Sequence, residues 1–205
     1  MVRLRVVFTV GLAILALTCL SAAPQDLTHA DAEAMQRKVD AIEARGALAA
    51  AKGTILATLR TSFTERELNA YLKYGAAAAY VPAGVVDPHI TLLADGHMAM
   101  RAVVDLDAVR KSQPRGALNP LAYLTGSLEV RVSGVLHATH GQATFDVDTA
   151  TVAGVPIPKA FLQELVTAYS KSPIFPDGIS LEKPFAMASG IQAIEIQLGS
   201  GIIIQ

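Results

Sequence analysis

The sequence predicts an α+β fold around an antiparallel sheet. Three observations carry this reading: long segments in which apolar and polar residues alternate, the turn pairs Asp95-Gly96 and His140-Gly141 between such segments, and helical stretches placed at the start, after the first strand and before the last ones. Hairpins closed by two-residue turns make antiparallel pairs, and helices that do not alternate strictly with strands argue against a parallel sheet.

Residues 31–45 form a helix, because Met35, Val39, Ile42, Gly46 and Ala49 recur at helical spacing in a narrow stripe that implies loose docking. Asp31 and Glu33 lie early, where the helix dipole favours acids, and Gly46 or Gly53 ends the helix. Residues 54–63 alternate as a strand, with Ile55, Ala57, Leu59 and Phe63 on one face and Thr58, Arg60 and Ser62 on the other. Thr64 and Glu67 then make a capping box, with Phe63 and Leu68 as a hydrophobic staple, at the head of a helix over 65–74 that buries Leu68, Tyr71 and Leu72.

Ile90, Leu92 and Ala94 alternate up to the Asp95-Gly96 turn, and the return strand sets Met98, Met100, Ala102, Val104 and Leu106 against Arg101, Asp105 and Asp107. A connection over 109–126, broken by Pro114, Gly116 and Pro120, leads to a second hairpin. This one runs from Leu128 through a bulge at Gly134 and the His140-Gly141 turn to Val152. Pro156 and Pro158 precede a helix over 159–170 with a broad stripe of Phe161, Leu162, Leu165, Val166 and Tyr169. Residues 175–178 make a turn, and 179–198 and 202–204 read as strands around a Gly199-Ser200-Gly201 hairpin turn. That tail is too apolar for a bare edge strand, so something covers it.

The first 23 residues read as an export signal: Arg3 and Arg5 lead, an apolar run follows from Val6 to Leu20, and Ser21 and Ala23 suit a signal peptidase. The alternative is an uncleaved membrane anchor, although the run is shorter than the roughly twenty residues a spanning helix wants. Pro24 is an awkward new N-terminus, so cleavage falls a residue or two earlier or the segment stays attached. Ala16-Leu17-Thr18 before Cys19 is a poor match to a lipidation signal. The protein is expected to be exported, periplasmic or otherwise extracytoplasmic, with membrane tethering as the alternative.

Residues 24–205 are expected to form a single domain, since about 180 residues suffice for a real core. Without Arg3 and Arg5 the chain has 15 basic residues against 18 acidic and no basic cluster, which argues against nucleic acid as a partner. Cys19 is the only cysteine, so the exported part has no disulfide and no thiolate chemistry, and packing must hold it.

Candidate chemistry is sparse. His137 and His140 with Asp146 and Asp148 form the one cluster with metal-ligand chemistry, but they flank a hairpin turn and occupy outward strand positions, so no metal or cofactor is expected. Asp105 and Asp107 could be paired carboxylates for acid–base work, yet they alternate on a polar face beside Arg101. Gly199-Ser200-Gly201 lacks the second glycine pair and following helix of a phosphate loop. No catalytic residue is assigned, and the chain is not expected to be an enzyme.

The apolar stripes remain. Leu68, Tyr71 and Leu72 on one helix, Met98 and Met100 on a strand, and Phe161, Leu162, Leu165, Val166 and Tyr169 on another helix could line a hydrophobic cavity, where methionine adapts to flexible guests. They could equally form a filled core.

Three segments carry a resemblance: Ser62-Phe-Thr-Glu-Arg-Glu-Leu-Asn-Ala-Tyr-Leu72, Val152-Ala-Gly-Val-Pro-Ile-Pro-Lys-Ala-Phe-Leu162, and Leu181-Glu-Lys-Pro-Phe185 with Gly190-Ile-Gln-Ala-Ile-Glu-Ile196. In pattern and order they resemble bacterial exported members of the tubular lipid-binding (TULIP) superfamily, which includes BPI-like and synaptotagmin-like lipid-binding domains. The resemblance implies a strongly curved antiparallel sheet wrapped around or packed on a long helix, with N-terminal helices, and a groove for acyl chains. The helix from Phe161 to Tyr169 is then the wrapped one. It also implies non-catalytic binding of a lipid or other apolar molecule, with a membrane or envelope protein as a further partner. An obvious basic rim for anionic head groups is missing, a departure that leaves the particular lipid undefined. The competing expectation is a structural or interaction module of the cell envelope with a filled core.

Overall fold

The computed structural model describes residues 26–53, 57–75, 81, 84–108, 126–169, 178, 180–181 and 183–205. The leader, the connection over 109–125 and the turn over 175–177 lie outside them. The elements are α1 (His29–Lys52), β1 (Arg60–Thr64), α2 (Glu65–Tyr74), β2 (Val85–Leu92), β3 (His97–Asp105), β4 (Ser127–Thr139), β5 (Gln142–Val152), β6 (Val155–Pro156), α3 (Lys159–Tyr169), β7 (Phe185–Ala186), β8 (Ala193–Gln197) and β9 (Ser200–Ile204). The fold is α+β, with an open antiparallel sheet and helices at the N-terminal side.

The larger sheet has the order β2-β3-β4-β5-β6, and β7 also pairs with β5. Its register places Leu92, Met98, Gly134 and Val147 at one level and Ile90, Met100, Val132 and Ala150 at the next. Strand side chains alternate between faces, so one face is apolar throughout while the other carries Arg101, Arg131, Glu129, Ser133 and Thr149. Two bulges preserve this division. One lies in β2 between Val86 and His89; the other interrupts the β4–β5 register between Ser133 and Gly134. At Gly134 a β-carbon would collide with the Asp146 carbonyl oxygen, so the close approach of β5 requires glycine.

The smaller sheet has the order β1-β9-β8. This order answers the apolar C-terminal tail: β9 is the central strand, not an edge. Arg60 on β1 and Glu195 on β8 meet at 2.6 Å across the face that carries Ile202 and Ile204. The two sheets join through backbone bonds from Gly199 to the Leu92 carbonyl, Gly96 to the Ile196 carbonyl and Gly141 to the Gln192 carbonyl. At this junction Met35, Phe63, Leu92 and Ile196 form the buried core, with Val39, Leu68, Tyr71 and Met98 packed against it.

The α1–α2 pair closes the free edge of β2. Thr28 and Asp31 form a capping box at α1, and Thr64 and Glu67 form the expected one at α2. Lys38 on α1 donates to Glu67 at 2.7 Å, and Arg66 on α2 donates to Asp31 at 2.9 Å. Asn69, only 1% exposed, accepts from the Ile90 amide at 2.7 Å and donates to the Ile90 carbonyl at 2.7 Å. The Glu65 carboxylate accepts from the Leu92 amide at 2.7 Å. Two side chains thus take the place of a neighbouring strand.

Several sequence expectations are corrected. Among the described residues the first strand spans Arg60–Thr64, and reciprocal backbone bonds of Leu59 with Gln205 carry its pairing with β9 one residue further while Leu59 stays 42% exposed; the expected start over 54–56 lies outside the described residues. The first helix continues to Lys52 and stops at Gly53 in a left-handed conformation. On α2 the most buried residues are Asn69 and Ala70, whereas Leu68, Tyr71 and Leu72 are half-buried, because the helix faces a strand edge as well as the core. The tail strand expected over 179–198 shrinks to β7 and β8, and the last turn lies at Leu198 and Gly199. Gly201 belongs to β9, where a β-carbon would collide with the Phe63 ring.

Two predictions follow from this architecture. Asn69→Ala strips both Ile90 groups of their partner and should cost about 2–6 kcal/mol, at about 1–3 kcal/mol for each of the two groups; urea unfolding measures it, with Ser62→Ala as an exposed control. Burial pushes the Glu67 carboxyl up, but Lys38 and the Thr64 amide outweigh it and hold the group below the ordinary value of 4.5. A lowered folded value stabilises above 4.5 and is lost as pH falls through that lowered value. Stability to urea followed against pH should therefore fall less steeply below pH 4.5 in Glu67→Gln than in the native chain.

Candidate binding face

The apolar face of the larger sheet has two halves. At the end nearest the smaller sheet, Leu92 is buried in the core, Met98 and Leu136 pack against it, and the small residues Gly134, Ala138 and Ala143 are buried. Small side chains let a second layer approach closely there. At the other end the levels are Ala102, Val130, Val152 and Val155, then Val85, Val104 and Leu128. Of these residues Val155 is exposed and the rest are half-buried, while Met100 at the boundary is 36% exposed. No charged or polar side chain belongs to the paired positions of this face. Met100 and Val155 are thus the exposed apolar side chains among these positions, and an apolar face with exposed members is a candidate binding surface.

The residues expected to line a cavity separate into groups. Leu68, Tyr71 and Met98 pack against the buried core at the sheet junction, whereas Met100, one level further along the face, is 36% exposed. Leu72 is half-buried on α2. Phe161 and Val166 are half-buried and Leu162 is buried on α3, which meets the larger sheet at β5. The side chains of Leu165 and Tyr169 lie outside the described residues. Beside α3, the Leu181 amide donates to the Gln163 side chain at 2.6 Å. Sequence reasoning missed Val130, Val132 and Val152, half-buried on the same face as Met100, although their alternation was visible.

The polar candidates have structural partners. Asp105 accepts from the amides of Asp107 at 2.9 Å and Ala108 at 3.1 Å, so it caps the turn that ends β3. His137 lies 3.4 Å from Asp146, while Asp148 pairs with His97 at 3.7 Å, so the expected histidine cluster divides into two separate pairs. His140 occupies the hairpin turn with a φ of 53°. Among the described residues no three histidine, cysteine or acidic side chains come together to hold a metal. Arg101 and Arg131 are direct cross-strand partners, and Glu129 lies between them, 2.6 Å from Arg131 and 3.9 Å from Arg101. A hydrogen bond from Arg131, reinforced by both positive charges, lowers the Glu129 pKa. That ladder is ordinary for a solvated face.

Comparison with protein-family models, curated proteins and solved structures finds no match to this chain. The reading of function therefore stands on the geometry of the two-faced sheet.

Replacing Gly134 tests the close approach at the closed end. Gly134→Val should destabilise by about 2 kcal/mol or more through overpacking, whereas Val86→Thr on the polar face should change stability by less than about 0.5 kcal/mol. Thermal unfolding of the two variants makes the comparison.

Proposed function

We propose that this protein binds a lipid or similar apolar molecule outside the cytoplasm, without catalysis, on the apolar sheet face around Met100. The observation that carries the reading is the pairing of Met100 with Val132 and Ile90 on a face without a polar group, where Met100 nonetheless stays 36% exposed. Water bears this surface unfavourably, and an acyl chain laid over it gains about 0.8 kcal/mol for each methylene it buries. Aliphatic side chains supply no directional contact, so they suit a guest recognised by length and flexibility. The methionine adapts to such a guest. The TULIP-like pattern and the signal-like leader point the same way, since a lipid that crosses an aqueous compartment needs its chains shielded.

Native mass spectrometry and solvent extraction of gently purified protein test the reading. A bound lipid, and competition by a fluorescent fatty-acid probe, are expected. A protein that is ligand-free and refuses the probe overturns it and favours an envelope interaction module. Met100→Asp places a charge on the apolar face and should abolish probe binding. Val86→Asp, at a position 52% exposed on the polar face, should leave it intact.

A further inference from the structure

The strand edges of this fold are closed by different means. On β2, Asn69 and Glu65 take the place of a neighbour. β8 meets the turns of the larger sheet, where the Ile196 carbonyl accepts from Gly96, and β6 ends in Pro156, which has no N–H to offer. β1 differs. It is the outer strand of the order β1-β9-β8 and pairs with β9 from Arg60 to Thr64 without a bulge. Leu59 and Gln205 bond reciprocally, and such pairs recur at every second position of an antiparallel ladder, so Thr61 and Phe63 also turn their backbone groups towards β9. The N–H and C=O groups of Arg60 and Ser62 therefore point away from the sheet. Both residues are exposed, and among the described residues nothing pairs with these groups. Thr64 ends the edge, because the Glu67 carboxylate accepts from its amide. Charge is a common guard of such an edge, but Arg60, the charged residue of β1, is held back across β9 at 2.6 Å from Glu195.

We propose that this edge pairs antiparallel with β1 of a second copy of the chain, about a two-fold axis at Thr61. A row of N–H and C=O groups at strand spacing is matched by another strand, and a two-fold axis lets one edge serve both copies. Outward groups must meet outward groups, which leaves few registers. A centre at Arg60 sets two arginines opposite each other, a like-charge pair that opposes association. A centre at Ser62 sets Arg60 against Thr64, whose amide is already taken. A centre at Thr61 sets each Arg60 against Ser62 of the other copy, in reciprocal pairs with no like charges opposed. The smaller sheets of the two copies then run on as one sheet with β1 inside it. Nothing in this pairing rests on the lipid-binding reading.

At the two-fold axis Thr61 faces its own counterpart as a non-bonded pair with Cα atoms about 4.5 Å apart, a separation that a disulfide spans. Thr58, by contrast, lies about 20 Å along the strand from its counterpart. The full chain is purified in mild detergent with Cys19→Ala and a single new thiol, Thr61→Cys or the control Thr58→Cys, and is exposed to a mild oxidant. A disulfide-linked dimer at position 61, about tenfold above that at 58, is the expected result on a non-reducing gel. Adding Ser62→Pro removes an outward N–H and none that β9 uses, and should cut the dimer about tenfold. Ser62→Lys, which sets a like charge opposite Arg60 of the second copy, should also cut it, whereas Ser62→Glu should keep it. The lysine and glutamate variants leave the backbone intact, and urea unfolding of each confirms the fold. No excess at position 61, equal linkage at 58, or a dimer equally strong in Ser62→Lys and Ser62→Glu overturns the proposal.

Discussion

The hydrogen bonds of Asn69 and Glu65 to the outer edge of β2 are the constraint on which the rest of the structure depends. An edge strand presents unpaired amides and carbonyls that invite pairing with another chain. Here Asn69 satisfies both Ile90 groups and Glu65 satisfies the Leu92 amide. Because Asn69 is buried, its bonds work in a low dielectric, where leaving them unmade is costly. They also fix α2 in position, and α2 in turn receives α1 through the pairs Lys38 with Glu67 and Arg66 with Asp31. Partly exposed ion pairs contribute little by themselves. They orient α1 so that Met35 reaches the core beside Phe63 and Leu92.

Leu92 connects this edge to everything else. Its amide is held by Glu65, its carbonyl accepts from Gly199, and its side chain sits in the core. Gly199 also accepts from the Glu65 amide, so one backbone position in the turn between β8 and β9 touches both the start of α2 and the end of β2. The smaller sheet is therefore anchored at the place where the helix begins. Among the described residues, the smaller sheet meets the larger one at this end alone, through Leu92, Gly96 and Gly141.

Much of this was legible in the sequence because its cause is local. The capping box at Thr64 and Glu67, both hairpin turns and the bulge at Gly134 follow from chemistry within a few residues, and each occurs where the pattern puts it. Asn69 was not legible. A polar residue on an amphipathic helix reads as solvent-facing, and its role depends on a strand edge more than twenty positions away. The start of β2 was hidden because Asp87 and Pro88 break the alternation that defines the strand, and Asp87 adopts a φ of 49° at the bulge. The tail was read as one long strand because its isoleucines are frequent, although only β8 and β9 find partners of any length. For the candidate site, alternation marked Met98 and Met100 as sharing a strand face, while their different exposure depends on the docking of the smaller sheet, which joins segments far apart in the chain.

The sizes of the side chains along that face bear on what it is for. In a filled core the large aliphatic residues are the most buried, since they have the most surface to remove from water. At the end nearest the smaller sheet the larger sheet follows this rule, since Leu92 is 1% exposed and Met98 and Leu136 pack against it. Met100 departs from it. It shares the same face and pairs with Ile90 and Val132, yet it stays 36% exposed. A long apolar side chain left partly in water gives up burial that the neighbouring level of the same strand obtains, and that local departure is what the proposed apolar guest would offset.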